Sequence, residues 1–146
     1  MKRFSFPLDR VLDLRRHELE VAEARLHTIQ SKQDEARLRA ASLEQQFLSF
    51  SDESLRVQVT TGSDLRAAGG YLARLRLGRQ AQLQQEQKWE AERQREVGLA
   101  MEARRKVKLI EKLREKRERQ HLAAADHGVE NQAAELYLAK WVRERE

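Results

Sequence analysis

The chain has 146 residues, 36% of them charged and 5% aromatic, with one proline, no cysteine and a formal net charge of +5. Leu, Ala, Arg, Glu and Gln dominate, which excludes a thick globular core and favours long helices joined along a narrow seam. Without cysteine there is neither a disulfide framework nor a thiolate metal site, and no apolar run approaches the ~18 residues of a bilayer span.

The start, "MKRFSFPLDRVLDL", is basic, but Asp9 and Asp13 interrupt what would have to be an apolar signal-peptide core. A cytoplasmic protein is the simplest expectation. Pro7 suits the first turn of a helix, where a missing N–H leaves no bond unmade. From there apolar residues recur at alternating intervals of three and four. One heptad series is Leu12, Leu19, Leu26, Gln33, Ala40, Phe47, and the other is Leu8, Arg15, Ala22, Ile29, Ala36, Leu43, Phe50. All but Gln33 and Arg15 are apolar, the a/d seam of a coiled coil. The pattern predicts a first helix over about 7–50.

Ser, Asp, Thr and Gly then gather in "SFSDESLRVQVTTGSD", with Val57 and Val59 β-branched, and predict a turn over about 51–63. Ser63 or Asp64 is placed to cap the next helix. A second helix is expected over about 64–120. Ala68, Leu72 and Leu75 restart the seam, interrupted by Gly69 and Gly70. Between Arg79 and Glu96 the seam is polar apart from Trp89 and Leu83, which implies slipped register or loose packing. It recovers at Ala100, Ala103, Val107 and Ile110. A C-terminal tail, 121–146, carries "AELYLAKWV", where Tyr137 and Trp141 would stack at i and i+4. That patch either docks on the hairpin end or meets another protein, and the tail either continues the second helix or folds back. The fold class expected is all-α: a long antiparallel two-helix coiled-coil hairpin forming one domain over 1–146. A turn centred near residue 57 would set Arg10 opposite Arg104, at the exposed end of a rod.

Nothing in the chain has the spacing of a catalytic or cofactor site. "HELEV" (17–21) begins like a zinc-protease motif but has Val21 where the second histidine belongs. His121 and His127, six apart, do not share a helical face and are expected on the surface. "AAGGYLARL" lacks the Lys and Ser/Thr of a phosphate loop. The many carboxylates fit i to i+4 pairing with Arg and Lys, and Trp89 falls on the seam as core filler. The reading is of a non-enzyme with no cofactor, no metal and no small-molecule substrate.

The feature that asks for a function is "RRKVKLIEKLREKRERQH" (104–121), with nine Lys or Arg against three Glu. As a nucleic-acid track it has the cations that phosphates need. However, Glu111, Glu115 and Glu118 are interspersed, no aromatic is interleaved to stack bases, and no leucine zipper follows. As a membrane-surface helix it offers only Val107, Leu109, Ile110 and Leu113, a short apolar face. A solvated coiled-coil face accounts for much of it, but not for positive charge concentrated at one end. A contact surface for a protein partner remains, with a basic coiled-coil nucleic-acid-binding or structural protein as the alternative.

"FSFPLDRVLDLRRHELEVAEARL" (4–26) resembles the opening of FliJ-family proteins of bacterial flagellar export: Phe-x-Phe-x-Leu, then Val-Leu-x-Leu-Arg leading into Glu- and Ala-rich heptads. "IEKLREKRERQHLAAADHGVENQAAEL" (110–136) is similar to the family's second signature, although "AAEL" (133–136) stands where Leu-Asp-Glu is usual. The resemblance implies a non-enzymatic stalk or adaptor of the type III flagellar protein export apparatus, a protein of flagellum biogenesis and hence of chemotactic motility. It implies a rod that inserts its paired termini into the ring of the export ATPase, couples that ring to the membrane export gate protein, and escorts export chaperones. The location implied is cytoplasmic and peripheral, at the inner face of the cell membrane at the flagellar base. Charge and geometry make Arg104, Arg105, Lys108, Lys112 and Lys116 the ATPase-binding candidates. Matching the family's gate-contact pattern gives Phe47, Phe50, Tyr71 and Leu75 as export-gate candidates.

Overall fold

Two helices carry the chain. In a computed structural model that describes residues 3–57 and 61–145, α1 spans Asp9–Arg56 and α2 spans Gly62–Arg143, with no strand among the described residues. The helices pack against each other as an all-α antiparallel hairpin. They are organised in two units, Met1–Leu19 with Glu102–Glu146, and Glu20–Met101.

α1 runs six residues beyond its expected end at 50. The polar stretch there is absorbed into the helix because Ser54 Oγ donates to the carbonyl of Phe50 at 2.8 Å, satisfying itself on the turn below. Residues 58–60 of the expected turn lie outside the described residues. α2 starts two residues earlier than expected. Its cap is Thr61 rather than Ser63 or Asp64: Thr61 Oγ1 accepts from the Asp64 N–H at 3.2 Å and donates to the Asp64 carboxylate at 2.7 Å. The Thr61 hydroxyl thus caps the first turn of α2, with an acid there where the helix dipole favours it.

In the unit Glu20–Met101, the seam keeps its heptad spacing throughout. Gln33, Ala36 and Ala40 of α1 are buried, with Ala22, Leu26, Ile29, Leu43, Phe47 and Phe50 half-buried; on α2, Leu75, Glu96 and Ala100 are buried and Gln82, Glu86, Trp89 and Arg93 half-buried. The polar middle therefore does not slip register. Hydrogen bonds replace apolar contact there. Gln33 Nε2 donates to Glu90 Oε2 at 2.6 Å, Arg93 grips the same carboxylate at 2.7 and 3.0 Å, and Arg37 pairs with Glu86 at 2.6 Å. The Arg93 guanidinium, then Gln33, hold the Glu90 carboxyl down to about 2. Lys32 lies 4.8 Å over the Trp89 ring. Small side chains let the backbones approach: a Cβ built at Gly78 would sit 3.3 Å from Leu43 Cδ1.

Glu96 is the weak point of this seam. It is 9% exposed, and its Oε2 is buried without a hydrogen-bond partner. An unsatisfied buried oxygen costs about 1–3 kcal/mol. Glu96→Leu should therefore raise the thermal midpoint by several degrees, whereas a lower midpoint would show that the carboxylate is well solvated. Gly69 and Gly70 offer a second gain. A Cβ at either meets nothing within 4 Å, so replacing both with Ala should stabilise α2 by about 1 kcal/mol per site, read as a rise in denaturation midpoint.

In the other unit, Leu12, Phe6 and Val107 are buried and Arg15, Leu19, Ala103 and Ile110 half-buried. Leu8, the expected first seam residue, is exposed at 37%. Phe6, just ahead of α1, takes up the packing instead, and Phe4 lies against His121 with ring centroids 5.5 Å apart. His121 is thus half-buried under a phenyl ring rather than a bare surface histidine.

The expected pairing of Arg10 with Arg104 is displaced. Arg114 meets Asp9 at 3.5 Å, and the two residue numbers add to 123. The pairs Gln33–Glu90, Arg37–Glu86 and Glu44–Arg79 of the other unit give the same total. A count of 114, taken from a turn at 57, is nine short because α1 continues to Arg56 and moves the crossing point along the chain. Past His121, α2 continues as helix to Arg143, so the tail does not fold back. Tyr137 and Trp141 do not stack; Trp141 instead takes the Arg145 guanidinium 3.6 Å above its ring.

Candidate functional site: a basic face and an aromatic cluster

α2 presents its cations in two groups through 104–119. One group is consumed within the molecule. Arg114 meets Asp9, Arg119 meets Glu115 at 3.3 Å and Lys106 meets Glu102 at 3.8 Å. Glu111 is drawn across to Arg16 at 3.1 Å, not to its helical neighbours as its spacing suggested.

The second group has no such partner. Among the described residues, Arg105, Lys108, Lys112, Lys116 and Arg117 have no carboxylate in ion-pair reach. Arg105, Lys108, Lys112 and Lys116 are spaced three, four and four apart, which puts all four on one face of α2, and each is exposed. Leu109, 59% exposed, borders the row. Arg104 is exposed beside it. Four cations in a line of about 16 Å along the helix form a positive stripe that no part of their own unit neutralises. Among the described residues no group of three or more side chains that could hold a metal ion occurs; what the stripe offers is positive charge that attracts an acidic surface.

The gate candidates lie in the unit Glu20–Met101. The structure brings Phe50 and Tyr71 together, ring centroids 4.6 Å apart and 66° between planes, the edge-on geometry aromatic quadrupoles favour. The Arg76 guanidinium lies 5.3 Å from the centroid of Phe47. A shallow groove of about 140 Å³ runs past Glu44, Phe47, Leu75, Arg76 and Arg79, and Arg79 is held to Glu44 at 2.8 Å. Phe47, Phe50 and Tyr71 are half-buried, and Leu75 is buried at 7%. Leu75 therefore supports the cluster from beneath, while the three rings reach the surface. Sequence reasoning missed Arg76, whose i+5 offset from Tyr71 carries no signal until α1 is set alongside. It read Phe4 and Phe6 only as part of a family motif and did not foresee that Phe6 is buried and that Phe4 lies against His121.

A hairpin of two long helices, with its chemistry on exposed faces, defines an all-α coiled-coil protein. The family model described as Flagellar FliJ protein matches residues 4–144. The chain belongs to the FliJ family, a component of the flagellar export machinery. No curated protein and no solved structure matches it. Among the described residues no helix is long and apolar enough to cross a membrane.

Proposed function

We propose that the protein is a non-enzymatic stalk or adaptor of flagellar export, which engages the export ATPase ring through its basic face and links that ring to the membrane export gate and to export chaperones. The observation that carries this reading is the row Arg105, Lys108, Lys112 and Lys116, four cations on one helical face with no internal acid. Arg104 extends it. Such a row steers and orients an acidic partner. Phe47, Phe50 and Tyr71, backed by Leu75, form the surface offered to the export gate; their rings supply area at low entropic cost. The protein would then work in the cytoplasm, peripheral to the membrane at the flagellar base, with no cofactor.

The alternative, a nucleic-acid binder, rests on the same cations, and salt separates the two. Binding to duplex DNA is expected to be weak and sequence-blind and to disappear by about 0.2 M salt, since a few phosphate contacts give little affinity to begin with. Binding to the export ATPase should persist there. Tight DNA binding at that ionic strength, with no ATPase binding, would overturn the proposal.

A further inference from the structure

Along α1 the residues Asp9, Arg16, Glu23, Gln30, Arg37 and Glu44 recur every seven positions and so share one edge of the helix. Their charges change sign at each step from Asp9 to Glu23, and again from Arg37 to Glu44. On α2, Arg79, Glu86 and Arg93 do the same. In the unit Glu20–Met101 the two strips meet in complement: Arg37 pairs with Glu86 at 2.6 Å and Glu44 with Arg79 at 2.8 Å. One turn along, Gln33 donates to Glu90 at 2.6 Å, and Arg93 and Gln94 also donate to that carboxylate. Gln33 is 4% exposed, so its amide depends on this acceptor.

We propose that these strips, with the Gln33–Glu90 bond between them, are a register lock: they hold α1 on α2 in the heptad alignment that assembles the cluster of Phe47, Phe50 and Tyr71. A heptad seam returns the same faces inward after a slip of seven residues. Where the buried Gln33, Ala36 and Ala40 lie against α2, the seam is small or polar on one side and largely polar on the other, with Gln82, Glu86 and Arg93 half-buried. Interlocking of large apolar side chains therefore discriminates least there. Charge discriminates most, because a strip that changes sign every seven residues turns attraction into repulsion on a slip of seven. Moved one way, Arg37 would face Arg93, Glu44 would face Glu86 and Gln33 would face Val97. Moved the other way, Arg37 would face Arg79 and Gln33 would face Leu83. In either case the buried amide loses its acceptor and gains an apolar neighbour. Either slip also separates Tyr71 from Phe50, whose ring centroids are 4.6 Å apart in the observed alignment. The consequence for the export gate rests on the function proposed above; the lock itself does not.

Cross-linking reads the alignment with no partner present, since the native chain has no cysteine. Leu43→Cys with Gly78→Cys reports the observed alignment, because a Cβ at Gly78 lies 3.3 Å from the Leu43 side chain. Leu43→Cys with Gln85→Cys reports a slip of seven. With a short thiol reagent the otherwise unaltered chain should link 43 to 78 and not to 85. Reversing the α2 strip with Arg79→Glu, Glu86→Arg and Arg93→Glu opposes like charges in the observed alignment, and matches Arg37 and Glu44 with opposite charges in the slipped one. The initial rate of the 43–78 link should fall by at least about fivefold. Adding Arg37→Glu and Glu44→Arg restores complementarity in the observed alignment, and the 43–78 link should recover with it. A 43–78 link unchanged by the α2 reversal overturns the proposal. So does a loss of that link, with or without loss of helicity, that the α1 reversal fails to restore. Gate binding by the Phe47→Ala, Tyr71→Ala variant tests the role of the cluster separately, so failure of the one reading is distinguished from failure of the other.

Discussion

Charge reversal at Arg105, Lys108, Lys112 and Lys116 together is expected to weaken binding to the export ATPase by at least about tenfold and to abolish its stimulation. Each exposed ion pair contributes only ~0–1 kcal/mol, so single reversals will look nearly silent, and the row acts as a unit. Reversal also converts attraction into repulsion, which is why the combined effect exceeds simple removal. It takes the formal net charge from +5 to about −3. Helicity and thermal midpoint should scarcely change, because none of the four side chains has an acidic partner within the molecule to lose. If the quadruple variant binds and stimulates like the parent, the row is only a solvated helix face. Fluorescence anisotropy for affinity and circular dichroism for helicity read the two quantities separately.

Leu12→Ala should produce a large loss of stability. Leu12 is 2% exposed and the largest fully buried side chain of the described residues, set where α1 meets α2 in the first unit. Truncating a buried leucine removes transfer energy and leaves a cavity, about 2–4 kcal/mol, which lowers the thermal midpoint by roughly 10 °C. Two residues away, Leu14 is 55% exposed, and Leu14→Ala should cost less than about 0.5 kcal/mol. The contrast separates burial from hydrophobicity as such. Equal effects at the two positions would mean that α1 is rotated from the orientation described.

Much of the fold was legible because the apolar period is strict. The series through Leu12 and Ala40 fixes which face of α1 turns inward, and the same series predicted the burial of Gln33 against its own polarity. What was not legible follows from local bonding that period and propensity do not encode. Ser54 satisfies its hydroxyl on Phe50 and so carries α1 through a stretch that reads as a turn. That shift of a few residues then moved every cross-helix pair, including those at the basic end. Polar seam positions looked like register slips because their partners, Glu90 for Gln33 above all, lie on the other helix. At the candidate site, the sequence showed how many cations there are but not which are free. The i to i+4 pairs of Arg119 with Glu115 and Lys106 with Glu102 follow the spacing, but Arg114 looks like Arg105, Lys108 and Lys112 until Asp9 is set beside it.

The most direct test of the proposed role is photo-crosslinking in the presence of the export ATPase, with a short-range reactive side chain placed in turn at Lys112, on the basic row, and at Arg74, in the unit that holds the aromatic cluster. The expected result is a covalent adduct with the ATPase from position 112 and none from position 74, with the yield at 112 falling as salt is raised. An adduct from 74 with none from 112 would contradict the assignment of the basic face as the surface that meets the ring.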